Sequence, residues 1–225
     1  MTKAILFDMD GVLFDSMPNH AYAWSHAMTG LGLKMEPEEV YMNEGRTGHG
    51  TINILSNRYW GRDATDEEIE QIYEAKSTLF NTLPEPHPMP GAMDLLNKIC
   101  KQGLMRVIVT GSATHALLDR VNAAYPGIFS PELMVTAFDV KHGKPNPEPY
   151  LMGLKKANIQ AHEAIVVENA PLGIQAARAA GIFTIAVNTG PLKDDVLKEA
   201  GANLVLPSMQ YLADNWEEIA SMHKV

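Results

Sequence analysis

Short, mostly apolar runs recur along the chain: Ala4-Ile5-Leu6-Phe7, Met105-Arg106-Val107-Ile108-Val109, Met134-Val135-Thr136-Ala137, Ala164-Ile165-Val166-Val167, Thr184-Ile185-Ala186-Val187 and Asn203-Leu204-Val205-Leu206. Each has strand length, and most lack the alternation of a half-exposed strand, as expected for strands covered on both faces. Helical patterns lie between them. Ala92, Leu95, Leu96 and Ile99 share a face, and Gly103 fits the C-cap. Further helices are predicted from Ala113 to Ala123 (capped by Ser112), Tyr150 to Ala157, Pro171 to Ala180, and Tyr211 to Ala220 with Trp216 packed. Strands alternating with helices predict an α/β fold around a parallel sheet.

The pattern changes between residues 16 and 86, where no strand-like run occurs. Ser16 to Gly30 reads as a helix opened by Met17-Pro18, with His20, Trp24 and Ala27 at spacings of four and three. Glu36 to Val40 reads as a helix start, and Asp66 to Tyr73 as an amphipathic helix with acids in its first turn. Pro84, Pro86, Pro88 and Pro90 punctuate the return. The expected organisation is therefore a core of residues 1–15 and 87–225 with a helical insert, 16–86.

Composition narrows the class. Hydrophobic residues are 46% of 225, enough for a core plus a small second unit, and the net charge of −9 argues against a nucleic-acid partner. The one cysteine, Cys100, excludes an internal disulfide and fits a reducing compartment. No apolar run approaches the ~20 residues of a membrane span. A cytoplasmic monomer is expected.

Candidate chemistry begins where the first run stops, at Asp8-Met9-Asp10-Gly11. Ligands of open α/β sheets bind beyond the carboxyl ends of the strands. Two acids there repel unless a hard cation such as Mg2+ offsets them. Asp8 is then a candidate nucleophile and Asp10 a candidate general acid and base. A solvated turn is the plainer reading of these two acids. After the second run, the Thr110 hydroxyl and the Gly111 N–H suit phosphoryl oxygens, although a hydroxyl there also serves as a helix cap. Lys144, in a loop stiffened by Pro145, Pro147 and Pro149, suits charge neutralisation. Within the insert, Asn43 to Gly50 carries Glu44, Arg46 and His49 among three glycines, and reads either as a surface turn or as a specificity loop over the acids.

DMDGV, VIVTGS, GKPNPEPY and VVENAPLGIQAARAAG together resemble the four motifs of the haloacid dehalogenase-like phosphotransferase superfamily, especially its β-phosphoglucomutase-like branch. The resemblance implies a Rossmann-like doubly wound parallel sheet with an inserted α-helical cap that closes over the site. It implies an aspartyl-phosphate on Asp8 and Mg2+ held by Asp8, the Asp10 carbonyl and Asn169, with Glu168 holding a metal-bound water. Relatives often carry a second acid where this chain has Asn169. His20 matches a histidine near the hinge and site entrance.

In β-phosphoglucomutases the cap loop places a Lys before its Gly and an Arg three residues after it. Around Gly45 this chain has Glu44 and Gly48 instead. A cap carboxylate disfavours a bare phosphate dianion and suits a compact, metal-chelated substrate. The expected activity is therefore Mg2+-dependent hydrolysis of pyrophosphate, with a resemblance to the pyrophosphatase type of this branch. The alternatives are β-phosphoglucomutase, a broad sugar-phosphate or nucleotide phosphatase, and a non-catalytic phospho-ligand module.

Overall fold

The computed structural model describes residues 1–112 and 117–223. Strands β1 (Ala4–Phe7), β2 (Met105–Val109), β3 (Met134–Val135), β4 (Ala164–Glu168), β5 (Phe183–Val187) and β6 (Leu204–Leu206) form one sheet in the order β3-β2-β1-β4-β5-β6. Every pairing is parallel. The order reverses between β1 and β4, so the crevice of this doubly wound sheet opens beyond the carboxyl ends of those strands.

Both faces of the sheet are covered, which explains the near-continuous apolar runs. Ile5, Phe7, Ile165 and Val167 point into one cluster with α5 (Ala92–Lys101), α6 (Leu117–Ala124), α10 (Met209–Asp214) and α11 (Trp216–Ser221). Ala4, Leu6, Ala164 and Val166 point into the other, against α7 (Glu148–Ala157) and α8 (Pro171–Ala179). A smaller cluster joins α8 to α9 (Asp194–Glu199). Trp216 is fully buried and its indole N–H donates to Gln102 Oε1 at 2.9 Å. Trp216→Ala is expected to cost about 3–5 kcal/mol of stability; urea unfolding of the variant checks this, and a loss under 1 kcal/mol would contradict the packing described.

Between β1 and α5 the chain makes four helices and no strand: α1 (Met17–Thr29), α2 (Pro37–Met42), α3 (Gly48–Trp60) and α4 (Asp66–Thr82). They share a separate core that includes Met17, Trp24, Met28, Leu33, Ile52, Leu55 and Ile72. The two links to the sheet run side by side. Asp15 N–H donates to the His87 carbonyl at 2.9 Å, and Met89 N–H to the Leu13 carbonyl at 2.8 Å.

Three local expectations change. The third strand ends at Val135, because the Thr136 hydroxyl accepts from Phe138 N–H and starts a short 3-10 turn. The last helix breaks in two at Asn215, whose side chain donates to the Tyr211 carbonyl. The Asn43–Gly50 segment is only partly loop: Thr47 accepts from Gly50 N–H at 3.1 Å and caps α3, so Gly48, His49 and Gly50 are helical. Residues 113–116 of the helix expected from Ala113 lie outside the described residues. Among the described residues no helix is long and apolar enough to cross a membrane.

Candidate active site

Asp8 and Asp10 follow β1, Thr110 follows β2, and Glu168 and Asn169 end β4, so the parallel sheet delivers all five to one edge. All are buried, as is Lys144 from the proline-rich loop. Gly11 makes the turn after Asp10 with φ +86°, and a Cβ there would run into the Asn169 amide. Only glycine meets both demands.

Lys144 bridges two acids. Its ammonium donates to Asp8 Oδ1 and, at 2.6 Å, to Glu168 Oε1. Burial works against its charge, but Asp8 and Glu168 raise its pKa well above the usual lysine range. Glu168 Oε1 also accepts from the Tyr150 hydroxyl at 2.9 Å, while Oε2 accepts from the N–H groups of Asn169 (2.8 Å) and Ala170 (3.0 Å). Four donors occupy the roughly four acceptor positions of a carboxylate. Glu168 thereby anchors Lys144 and the β4–α8 turn.

The acceptors that remain are elsewhere. Asp8 Oδ2 and Asn169 Oδ1 are both buried without a hydrogen-bond partner. Buried acceptors are rarely left so unless an ion or ligand completes them. Burial, with Glu168 and Asp10 nearby, pushes Asp8 up to about 8 although Lys144 pulls it down. Two unpartnered oxygens beside a carboxyl reluctant to ionise fit a hard cation with oxygen ligands. Among the described residues no three His, Cys, Asp or Glu side chains cluster as ligands, in keeping with an amide at position 169.

Asp10 is held differently. Burial pushes its carboxyl up, but His20, Ser16 and Arg120 outweigh that and keep it below the usual range. Ser16 Oγ donates to Asp10 Oδ1 at 2.6 Å, and His20 Nε2 lies 3.4 Å from the same oxygen. Lys76 Nζ sits 3.1 Å from His20 Nδ1. An ammonium only donates, so His20 accepts at Nδ1 and carries its proton at Nε2, toward Asp10. Burial lowers the His20 pKa, with Lys76 and Arg120 adding to the effect, while Asp10 pulls it the other way.

The insert closes on this edge. Gly45 has φ +80° and a Cβ on it would fall 2.6 Å from Lys144 Cδ; one on Gly111 would meet the Gly45 carbonyl at 3.4 Å. Further along the same edge, Tyr41 packs so closely that a Cβ on Gly190 would lie 2.8 Å from its ring. Glu44 is thereby brought over the acids: burial, then Asp10 and Asp8, push its carboxyl well above the usual range. Glu44, Arg46, His20, Gly111 and Asp10 line a cavity of about 530 Å³ whose other walls include Trp24, Tyr73, Lys76 and Phe80. Arg46 Nε donates to Asn43 Oδ1 at 3.2 Å.

His49 is the exception. It is exposed on α3, with Nε2 3.2 Å from Asn53 Nδ2, and does not line the cavity. The sequence reading of a loop put it beside Arg46, whereas the helical turn carries it outward. Thr110 lies where expected; its hydroxyl accepts from Ser112 N–H at 3.1 Å and keeps its own proton to donate. Lys76, Ser16, Tyr150 and Arg120 were not anticipated. The signal for Ser16 was available, as a hydroxyl six residues after Asp10. Lys76 sits in a helix rich in acids and reads as a surface residue.

The sequence profile described as haloacid dehalogenase-like hydrolase matches residues 5–187, a span holding every site residue above. The chain belongs to this family. It is 36% identical over 211 residues to hexitol phosphatase A of Escherichia coli (strain K12), covering 93% of each chain. It is 28% identical to a phosphorylated carbohydrates phosphatase of Thermotoga maritima, over 89% of this chain and 92% of that one. Its fold matches a solved structure from Bacteroides vulgatus, described provisionally as a beta-phosphoglucomutase, with a TM-score of 0.96 and 59% identity over 100% of this chain and 91% of that one. Members of the family are hydrolases by description, and the two curated relatives are named for phosphorylated polyols and carbohydrates rather than for pyrophosphate.

Proposed function

We propose that the chain is a Mg2+-dependent phosphohydrolase working through a phosphorylated Asp8, and that its substrate is pyrophosphate. The observation that carries the choice of substrate is Glu44, which lines the same cavity as Asp10 on a loop whose Gly45 sits against Lys144. A cavity lined by both Glu44 and Asp10 suits a compact anion that arrives chelated to its own divalent cation. Residues 16–86 act in this reading as a cap that shuts water out.

Asp8, the Asp10 carbonyl and Asn169 would hold Mg2+. Bound there, it would supply Lewis-acid neutralisation of the phosphoryl oxygens. The chain's own groups do the rest. An Asp8 carboxylate oxygen attacks phosphorus in line; the new Oδ–P bond forms as the bond to the leaving oxygen breaks. Lys144, fixed by Glu168 and Tyr150, offsets charge on Asp8 and the transferring group. Thr110 and Gly111 donate to phosphoryl oxygens. Asp10 protonates the leaving phosphate, then removes a proton from the water that attacks phospho-Asp8 and releases the second phosphate. His20 and Ser16 hold Asp10 ionised as it lies here, the form needed for that second step; a bound anion raises its pKa for the first.

A second reading, hydrolysis of a sugar or polyol phosphate, is favoured by the names of the relatives and by the size of the cavity, whose aromatic and polar walls suit a hydroxylated leaving group. In that case Glu44 would accept from a substrate hydroxyl. The two are separated by kcat/KM with Mg2+ for pyrophosphate, hexitol phosphates, sugar phosphates and β-glucose 1-phosphate with its bisphosphate. The pyrophosphate value is expected to exceed every ester. A hexitol or sugar phosphate far ahead would replace the first reading by the second. Glu44→Ala and Glu44→Gln are each expected to lower the pyrophosphate value by about 10²-fold. If Glu44→Gln is silent, a neutral acceptor suffices and the charge argument fails.

A further inference from the structure

Arg120, like Arg46, lines this cavity but takes no part in the phosphoryl-transfer steps above. It lines the same space as Asp10, His20 and Lys76. Its guanidinium carbon lies 5.3 Å from the centroid of the Phe14 ring, an arrangement that orients the planar group. Nη2 faces Met9 Sδ at 3.8 Å, a weak acceptor, and the buried Nε has no hydrogen-bond partner. Arg58 and Arg62 each take a glutamate, Glu39 and Glu68; among the described residues Arg120 makes no ion pair. Buried donors are generally satisfied, so one without an acceptor in a cavity wall points to a ligand that completes it.

The position specifies the ligand. Met9 stands between the two reacting aspartates and Phe14 lies four residues beyond them, in the same turn. Arg120 is thus held by the segment that holds Asp8, on the sheet side of the cavity and independent of the insert. Its rigid fork of donors matches two oxygens of a phosphate. We propose that Arg120 is a specificity residue that binds a second anionic group on the substrate, the phosphoryl group that is not transferred to Asp8. The inference rests on the reading that Asp8 attacks one phosphoryl group, and it adds the substrate class: molecules with two phosphoryl groups close together. A monoester of a neutral alcohol gives Arg120 no anion.

The test is binding, in an Asp8→Asn background with Mg2+, of methylenediphosphonate and of methylphosphonate by calorimetry. The diphosphonate is expected to bind at least about twentyfold more tightly, and Arg120→Gln to reduce that preference below about threefold. Arg120→Lys, which keeps the charge without the fork, is expected to give an intermediate preference and provides the readout should the Gln variant not fold. A preference unchanged in both variants overturns the proposal, as does a proportional loss for both probes. If the unmutated protein turns over no pyrophosphate while the preference still depends on Arg120, the hydrolytic reading fails and the Arg120 assignment stands. Turnover of pyrophosphate with a preference indifferent to Arg120 has the opposite meaning.

Discussion

Asp8→Asn is expected to reduce kcat by at least about 10⁴-fold, to the background of a site without its nucleophile. The same variant is expected to gain stability in alkaline, metal-free buffer. Burial, Glu168 and Asp10 raise the Asp8 pKa to about 8 in the folded protein. A carboxyl raised on folding favours the folded state fully below its unfolded pKa, and that advantage is lost as pH rises through the folded value. Free of Mg2+, the unmutated protein should therefore lose melting temperature between about pH 4 and pH 8, and Asp8→Asn should lose less. Melting curves at pH 5 and pH 8.5 with chelator read this out. A variant less stable than its parent at pH 8.5 would mean that the Lys144 ion pair outweighs burial. Residual turnover above one per cent would remove Asp8 from its assigned place.

Lys144→Met is expected to damage folding and chemistry together. Lys144 is 3% exposed and lies between Asp8 and Glu168, which are 2% and 0% exposed. Methionine keeps much of the apolar stem under Gly45 and removes only the charge. Two buried carboxylates then lose their counter-ion, at a cost of about 3–5 kcal/mol. Tyr150 and the two N–H groups on Glu168 remain, so the loss should shrink at low pH as Asp8 takes up its proton. Urea unfolding at pH 5 and pH 8 tests both parts. A shift below 1 kcal/mol at pH 8 would show that the acids simply protonate at little cost, and a penalty that grows toward low pH would contradict the assigned ion pairs.

The two residues behind these predictions were legible in the sequence for different reasons. Asp8 ends a run of four apolar residues, and a carboxylate beyond a buried strand has little place except at a ligand edge. Lys144 was legible from its prolines and from its order after the Asp and Thr motifs. Residues that reach the site across the insert were harder. Lys76 follows Glu74 and Ala75 on a largely exposed helix face, and only the folding of α4 against α1 turns it to His20. Tyr150 reads as an ordinary helix residue; its use depends on the depth of Glu168, which no local pattern reports. His49 erred in the other direction, because glycines suggested a loop, whereas Thr47 caps a helix. There, Gly48 is required by the Tyr73 ring, 2.5 Å from where a Cβ would stand, rather than by an irregular backbone.

The paired links at Leu13–Asp15 and His87–Met89 carry a mechanical consequence. Two separate strings would leave the four-helix unit free to twist, slide and swing. Joined by backbone hydrogen bonds at 2.9 and 2.8 Å, they act as one ribbon, which resists twist and slide of the four-helix unit more than a swing about it. A swing about it would leave Asp10, a few residues away on the sheet side, in place and would carry Glu44, His20 and Lys76 with the four-helix unit. Asp8, Thr110 and Lys144 would therefore stay together through such a swing, whereas the His20 contact to Asp10 would be made or broken by it.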